Sequence, residues 1–395
     1  MALTRRGFSL GVTAGALVRP ALAAAATPLK IGYLAALTGP ASAPTQGFHR
    51  GIDLAVEDVN AAGGAGGRTV ELIVRDTQGD PTKAVNAVQE LIGQQKVHAV
   101  IGPANSGEAL ATTPIMARFH MPNVHACFVD SLIDTTKYPN AIRNAPTSTQ
   151  LDDATRHYVM NILKQRDVAV MGDTTGYGTA ATASSVAAFK AAGANVVYQA
   201  QVDATQPDVK PDLLRSQAAG AKVIVLWSVS TGMLARLMNV RAQLGWNIPF
   251  VGHPALGAGE IRDLLDKPAN WDNVFTLGFR NCTYAANGKL PPRTAAFVAR
   301  LRAKQIAIAD TVLWWIASGY DQVQLVAKAV AATGSSSPDA IVGYWNTLNP
   351  YPGIYGNYRY SAQNHNGFPA DEIVMSLANS AHDGAYTIAP GYGAA

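Results

Sequence analysis

Strand-like apolar runs alternate with helix-length segments along most of this chain, and that alternation restricts the fold more than any other feature. The strand-like runs are Ile31 to Leu37, Thr69 to Arg75, His98 to Ile101, Asn123 to Phe128, Asp167 to Met171, Asn195 to Val202, Lys222 to Trp227, Ile248 to Gly252 and Val274 to Phe279. Between them lie Gln46 to Ala61, Pro81 to Lys96, Thr155 to Lys164, Gly178 to Ala192 and Thr231 to Leu244. Strand, helix and strand close as right-handed βαβ units, so the pattern predicts an α/β fold with parallel sheets. Such folds bind ligands beyond the carboxyl ends of their strands. Two ends here carry polar, Gly/Pro-shaped loops, Thr38-Gly39-Pro40 and Gly102-Pro103-Ala104-Asn105-Ser106.

So many strands exceed one sheet of ordinary size, and the length of 395 residues exceeds one ordinary domain. Character changes between Arg143 and Gln150, where Asn-Ala-Pro-Thr-Ser-Thr separates two βα series. After Phe279 the pattern turns helical, at Arg293 to Gln305, Thr311 to Ala332 and Pro338 to Leu348, and strand and turn signals return from Ile354. Hydrophobic residues make up 48% of the chain and charged ones 15%, which suits a large buried core.

The N-terminus reads Thr4-Arg5-Arg6-Gly7-Phe8-Ser9-Leu10, then a weakly apolar Gly/Ala-rich run, then small residues around Ala23. Paired arginines ahead of such a run predict a twin-arginine export signal over residues 1–26, and hence a periplasmic location. Arg19 and Pro20 interrupt the run, leaving it too short for a retained span. Cleavage after Ala23 removes Arg5, Arg6 and Arg19 and no acid, so 31 basic residues become 28 against 27 acidic ones and the net charge falls from +4 to +1. A surplus that leaves with the signal gives no support for nucleic-acid binding. Cys127 and Cys282 form no motif and are expected as buried free thiols; no Cys/His cluster has zinc-ligand spacing.

With these elements placed, the chain resembles the type I periplasmic solute-binding proteins of ABC transporters, in the branched-chain amino-acid receptor (Leu/Ile/Val-binding) branch. The carrying residues are Ile31-Gly32 to Leu37-Thr38-Gly39-Pro40, Gly51-Ile52-Asp53-Leu54-Ala55 to Asn60-Ala61-Ala62-Gly63-Gly64, and Asp80-Pro81-Thr82-Lys83-Ala84. Val100-Ile101-Gly102-Pro103 with Asn105-Ser106, Tyr177-Gly178, Ala192-Gly193-Ala194 and Tyr320-Asp321-Gln322-Val323 follow in order. The resemblance implies two Rossmann-like lobes hinged by three crossover segments and closing on a ligand. It places lobe one at 27–145 and 282–355 and lobe two at 146–281 and 356–395. It further implies a soluble monomer that captures a small solute and delivers it to an ABC transporter permease, with no cofactor and no catalysis.

Asn105 and Ser106 follow a strand and open a helix, whose unpaired N–H groups and partial positive charge suit a carboxylate. They also read as ordinary caps of that helix; the resemblance favours the carboxylate clamp. Ala126, Cys127 and Phe128 end the fourth strand and are candidates for the ligand wall or for sheet core. Tyr177 opens a helix after the strand Asp167 to Met171, where a ring with a polar tip both stacks and hydrogen-bonds. Trp227, Ser228 and His253 complete the candidate set from lobe two.

Two departures from the family pattern bear on the ligand. Pro44 and Thr45 stand where an aromatic residue and Gly are usual. Beyond the strand Ile248 to Gly252, where amino-acid receptors of this branch carry an acid for the ligand ammonium, the chain reads Gly252-His253-Pro254-Ala255-Leu256 with no carboxylate before Glu260. A buried ammonium without a counter-charge is costly. The expected solute is therefore a small carboxylate, with an organic or aromatic acid or an amide favoured over a zwitterion unless another acid such as Asp173 substitutes. Two rival classes stand lower. Gly102-Pro103-Ala104-Asn105-Ser106-Gly107 is not a G-x-S-x-G nucleophile elbow, and Gly63-Gly64-Ala65-Gly66-Gly67 precedes a strand, whereas dinucleotide-binding glycines follow one. A ligand-binding sensor that signals through a membrane partner shares the fold and remains the alternative.

Overall fold

In a computed structural model that describes residues 27–39 and 42–391, the alternation resolves into two sheets. The export signal expected at 1–26 lies outside the described residues. The first sheet holds β1 (Leu29–Ala35), β2 (Val70–Asp76), β3 (Ala99–Ile101), β4 (Asn123–His125) and β5 (Ala141–Arg143) in the order β2-β1-β3-β4-β5. Every pair in it is parallel. Its covering helices include α1 (Ser42–Ala61), α2 (Pro81–Gly93) and α3 (Ser106–Arg118). Asp80 starts α2 by accepting the N–H groups of Thr82 and Lys83 at 2.7 and 3.0 Å, with Pro81 supplying the preset first turn.

The second sheet follows α4 (Ser148–His157), whose Thr147 and Gln150 form a reciprocal capping box. It is built from β6 (Asp167–Asp173), β7 (Asn195–Val202), β8 (Val223–Trp227), β9 (Phe250–Gly252), β10 (Val274–Phe279) and β11 (Thr283–Tyr284). The intervening helices are α5 (Gly176–Ala191), α6 (Lys210–Ala218), α7 (Thr231–Gln243) and the single turn α8 (Ile261–Leu264). Val168 to Met171 and Val223 to Leu226 are wholly buried, which is why these strands read as unbroken apolar runs rather than alternating ones.

Three helices then return to the first sheet, α9 (Pro292–Ala303), α10 (Leu313–Thr333) and α11 (Pro338–Trp345). A short ribbon of β12 (Tyr351–Pro352) and β13 (Asn357–Tyr358) follows, hung on the buried Asp321 of α10, whose carboxylate accepts from the Ile354 and Tyr355 N–H groups and the Tyr358 hydroxyl. The last strands, β14 (Ile373–His382) and β15 (Ala385–Ile388), join the second sheet, in the order β11-β15-β14-β10-β9-β8-β6-β7. The chain thus passes between the sheets three times.

Two details differ from the sequence expectation. The second sheet is mixed, because β14 runs antiparallel to both β10 and β15. Residues near 356–367, expected in lobe two, run beside β5 instead: the Arg143 N–H donates to the His365 carbonyl at 2.9 Å and the Tyr360 hydroxyl to the Arg143 carbonyl at 3.0 Å. β11 likewise lies one step past the expected border at 281/282, in the second sheet.

Candidate functional site

The carboxyl ends of both sheets open on one shared cavity, with about 50 Å³ of free space left between its walls. From the first sheet side come Ala104, Asn105 and Ser106 at the start of α3, Ala126 and Phe128 after β4, Pro44, Thr45 and Phe48 on α1, and Trp314 and Trp315 on α10. From the second come Thr175 and Tyr177 at the start of α5, Val229 after β8 and His253 after β9. Asn105 caps α3, its Oδ1 accepting the Gly107 N–H at 2.8 Å. Thr175 caps α5, its hydroxyl oxygen accepting the Gly178 N–H at 3.1 Å and its O–H turned to Asp173. Two helix N-termini therefore face the cavity from opposite sides, each with a partial positive charge. They nearly touch: a Cβ on Gly176 would lie 3.3 Å from the Gly107 Cα.

Aromatic rings make much of the wall, from Phe48, Phe128, Tyr177, His253, Trp314 and Trp315. Phe128 sits at their centre, 5.8 Å from Tyr177, 6.1 Å from His253 and 6.1 Å from Trp314, while Phe48 meets Trp314 edge-on at 6.0 Å. Among the described residues, none that lines the cavity is an Asp, Glu, Lys or Arg. Burial pushes the His253 imidazole down to about 3, so the ring is neutral at physiological pH, and its Nδ1 accepts the Ala255 N–H at 3.0 Å. Burial, with the Asp152 and Asp173 carboxylates adding to it, holds the Tyr177 phenol far above its ordinary value.

Of the residues singled out in the sequence, Asn105, Ser106, Ala126, Phe128, Tyr177 and His253 line the cavity and Cys127, Trp227 and Ser228 do not. Cys127 is a buried free thiol whose S–H donates to the Pro103 carbonyl at 3.0 Å, on the other face of the strand end from Ala126 and Phe128. The Trp227 ring is core of the second sheet. Ser228 spends its hydroxyl on the Asp173 carboxylate at 2.7 Å, and Asp173, held also by Thr175, is not available to the cavity. Glu260 is turned to the Thr231 hydroxyl at 2.9 Å. Sequence reasoning missed Phe48, Thr175, Val229, Trp314 and Trp315. A signal for two of these existed, since adjacent tryptophans at the N-terminal end of a long apolar helix are too bulky for both to sit within one helix interface.

Comparison with known proteins agrees with this architecture. A family profile described as "Periplasmic binding protein" matches residues 28–379. The chain is 26% identical over 321 residues to "Leu/Ile/Val-binding protein homolog 6" of Brucella suis, covering 81% of this chain and 80% of that one. In fold it is similar to the branched-chain amino acid substrate-binding protein LivJ of Streptococcus pneumoniae in complex with isoleucine, with TM-score 0.78, 21% identity, and 91% and 97% of the two chains covered. It is also similar to a solute-binding protein of an ABC transporter from Rhodopseudomonas palustris in complex with 3,4-dihydroxybenzoic acid, with TM-score 0.74, 20% identity, and 89% and 92% covered.

Proposed function

The chain belongs to the periplasmic binding protein family, and from that membership we propose that it captures a small carboxylate-bearing solute in the cavity between its two lobes and delivers it to an ABC importer. One observation carries the reading. The N-termini of α3 and α5, each with a helix dipole's partial positive charge, converge on an aromatic-walled cavity whose lining carries no formal charge. Helix N-termini stabilise an anion without a formal cation, and flat rings around them favour an apolar or aromatic body. Isoleucine and 3,4-dihydroxybenzoic acid, the solutes held by two neighbours of the same fold, share only the carboxylate end. Here the lining has no acid to receive an ammonium, which favours the organic or aromatic acid over the zwitterion.

The lobes of this proposal are residues 27–145 with 282–355 and 146–281 with 356–395, with β11 assigned to lobe two and 356–367 to lobe one in keeping with their pairing and hydrogen bonds. Among the described residues no helix is long and apolar enough to cross a membrane. With the twin-arginine pattern at 1–26, the proposed place of action is the periplasm. Capture without turnover is expected. The test is a thermal-shift and calorimetry screen of aromatic carboxylates, aliphatic carboxylates, amino acids and amides, because a ligand that binds only the folded state at 100 times its Kd adds about 2.7 kcal/mol of stability. Aromatic carboxylates should give the largest shifts and be recovered chemically unchanged. A screen in which only uncharged amides bind, or in which the solute is converted, would overturn the reading.

A further inference from the structure

Three buried polar atoms on residues that line the cavity have no hydrogen-bond partner among the described residues: the Tyr177 hydroxyl, His253 Nε2 and Trp314 Nε1. Leaving such a group unmatched is unfavourable, so the occupied cavity is the state in which something meets them. The direction of each bond is fixed by chemistry. An indole N–H only donates. His253 accepts the Ala255 N–H on Nδ1, at 3.0 Å, so the lone pair is there and the hydrogen of the neutral ring is on Nε2. Nothing near the ring opposes neutrality, since its neighbours are the Phe128 and Tyr177 rings at 6.1 and 5.1 Å. The Tyr177 phenol stays protonated and donates as readily as it accepts. Across the cavity, the start of α3 adds the partial positive charge of its dipole, its Gly107 and Glu108 N–H groups being held by Asn105 Oδ1.

The unpartnered polar atoms of the lining residues are therefore biased to donors. We propose that the solute is an acid whose second polar group is an oxygen acceptor, a carbonyl or ether in place of an amine, and that His253 Nε2–H and Trp314 Nε1–H are the groups that select it. The proposal rests on the carboxylate capture argued above and goes on to the other end of the ligand. An ammonium would set its own N–H groups against these donors and find no carboxylate among the described lining residues; Asp173 is engaged by Ser228 and Thr175, and Glu260 by Thr231. Asp152 of α4 is turned to Ser184 and is not part of the lining.

Matched solutes that differ at one group test this by calorimetry on the full mature chain. Phenylpyruvate, 3-phenylpropanoate and phenylalanine place a ketone, a methylene and an ammonium-bearing carbon next to the carboxylate. The far end is probed in the same way by 4-acetylbenzoate, 4-ethylbenzoate and 4-(aminomethyl)benzoate. In the set that fits the cavity, the ketone should bind at least about tenfold tighter than the hydrocarbon, and the ammonium member weakest. His253→Asn keeps an acceptor for the Ala255 N–H but has no donor at the Nε2 position, and Trp314→Phe keeps a ring but no N–H. Each should reduce the preference for ketone over hydrocarbon to within about threefold, a change of ratio that a purely structural role would not produce. If an ammonium member binds tightest, or if ketone and hydrocarbon bind alike in the unsubstituted protein, the inference is overturned while carboxylate capture stands. If none of the six binds and only amides or amines do, carboxylate capture falls and the inference with it.

Discussion

Glu108 and Asp152 are the two carboxylates whose surroundings most oppose their charge. Glu108 lies in the first buried turn of α3, and Asp152 is buried on α4; each keeps one oxygen without a partner. Burial is the main cause that raises each to about 7, with the Asp76 and Asp80 carboxylates adding to it at Glu108. A folded-state value above the unfolded one means the folded chain holds the extra proton, so this contribution is full below the ordinary carboxylate range and is lost as pH rises through about 7. The melting temperature of the unliganded protein should therefore fall between pH 5 and pH 8. Glu108→Gln should flatten part of that slope and raise the melting temperature at pH 8; an equal loss at both pH values would refute the assignment. At the acid end the sign reverses, because the Arg75 guanidinium holds Glu90 down to about 2, an effect present above about 4.5 and lost below it. At this scale the cavity lining was legible where a loop leaves a strand end, as at Asn105, Ser106, Tyr177 and His253. It misled at Cys127 because alternate residues of an extended chain face opposite sides, so Ala126 and Phe128 share the cavity face and the residue between them cannot. It misled at Ser228 because no local pattern says that a serine will be claimed by an aspartate from another strand.

The crossing of α1 over α10 decides where half of the aromatic wall stands. A Cβ on Gly51 would lie 1.8 Å from the Ile316 carbonyl oxygen, and one on Gly319 would lie 2.2 Å from that of Phe48. The helix backbones are in direct contact there, and Phe48 on one and Trp314 and Trp315 on the other are carried to the cavity by that contact. Gly51→Ala cannot be relieved by a side-chain rotation, since the obstacle is backbone, so the helices must part. The expected cost is about 1–3 kcal/mol or more, read as a lower urea midpoint, together with weaker binding of the best solute because the tryptophans move. Most helices and strands were readable from the chain to within a few residues, since their periods and caps are local, but α6 was not read and α4 begins at Ser148, seven residues before the expected Thr155. β5, three residues long, was not, and neither was the mixed second sheet. β14 pairs with β10 across about a hundred residues, a choice made by tertiary packing. Its hairpin partner did leave a local trace, because Asp383 and Gly384 both have positive φ, at 52° and 71°, and an Asp-Gly between two apolar runs is the signature of such a turn.

Two sheets are joined by three passes of the chain, and between them α3 and α5 come into contact beside the cavity. Gly107 and Gly176, at the first turns of those helices, allow the two N-termini to approach each other closely. The division into two α/β units was readable in advance because each is a series of local βα steps; which surfaces close on each other was not, because closure is decided by residues far apart in the chain that share no pattern. A side chain at Gly176 would meet Gly107 before the lobes finished closing, yet would leave the interior of either lobe untouched. Gly176→Leu should accordingly leave the melting temperature without solute within a few degrees of the unsubstituted protein while weakening solute binding by at least about tenfold, the equivalent of roughly 1.4 kcal/mol. Small-angle scattering supplies the independent readout. Saturating solute should contract the unsubstituted protein, as hinge closure requires, and should contract the Gly176→Leu protein less. If the variant binds and contracts like the parent, the mouth between α3 and α5 is not where the lobes clamp, and the hinge closes on the solute through the Phe128, Tyr177 and Trp314 wall instead.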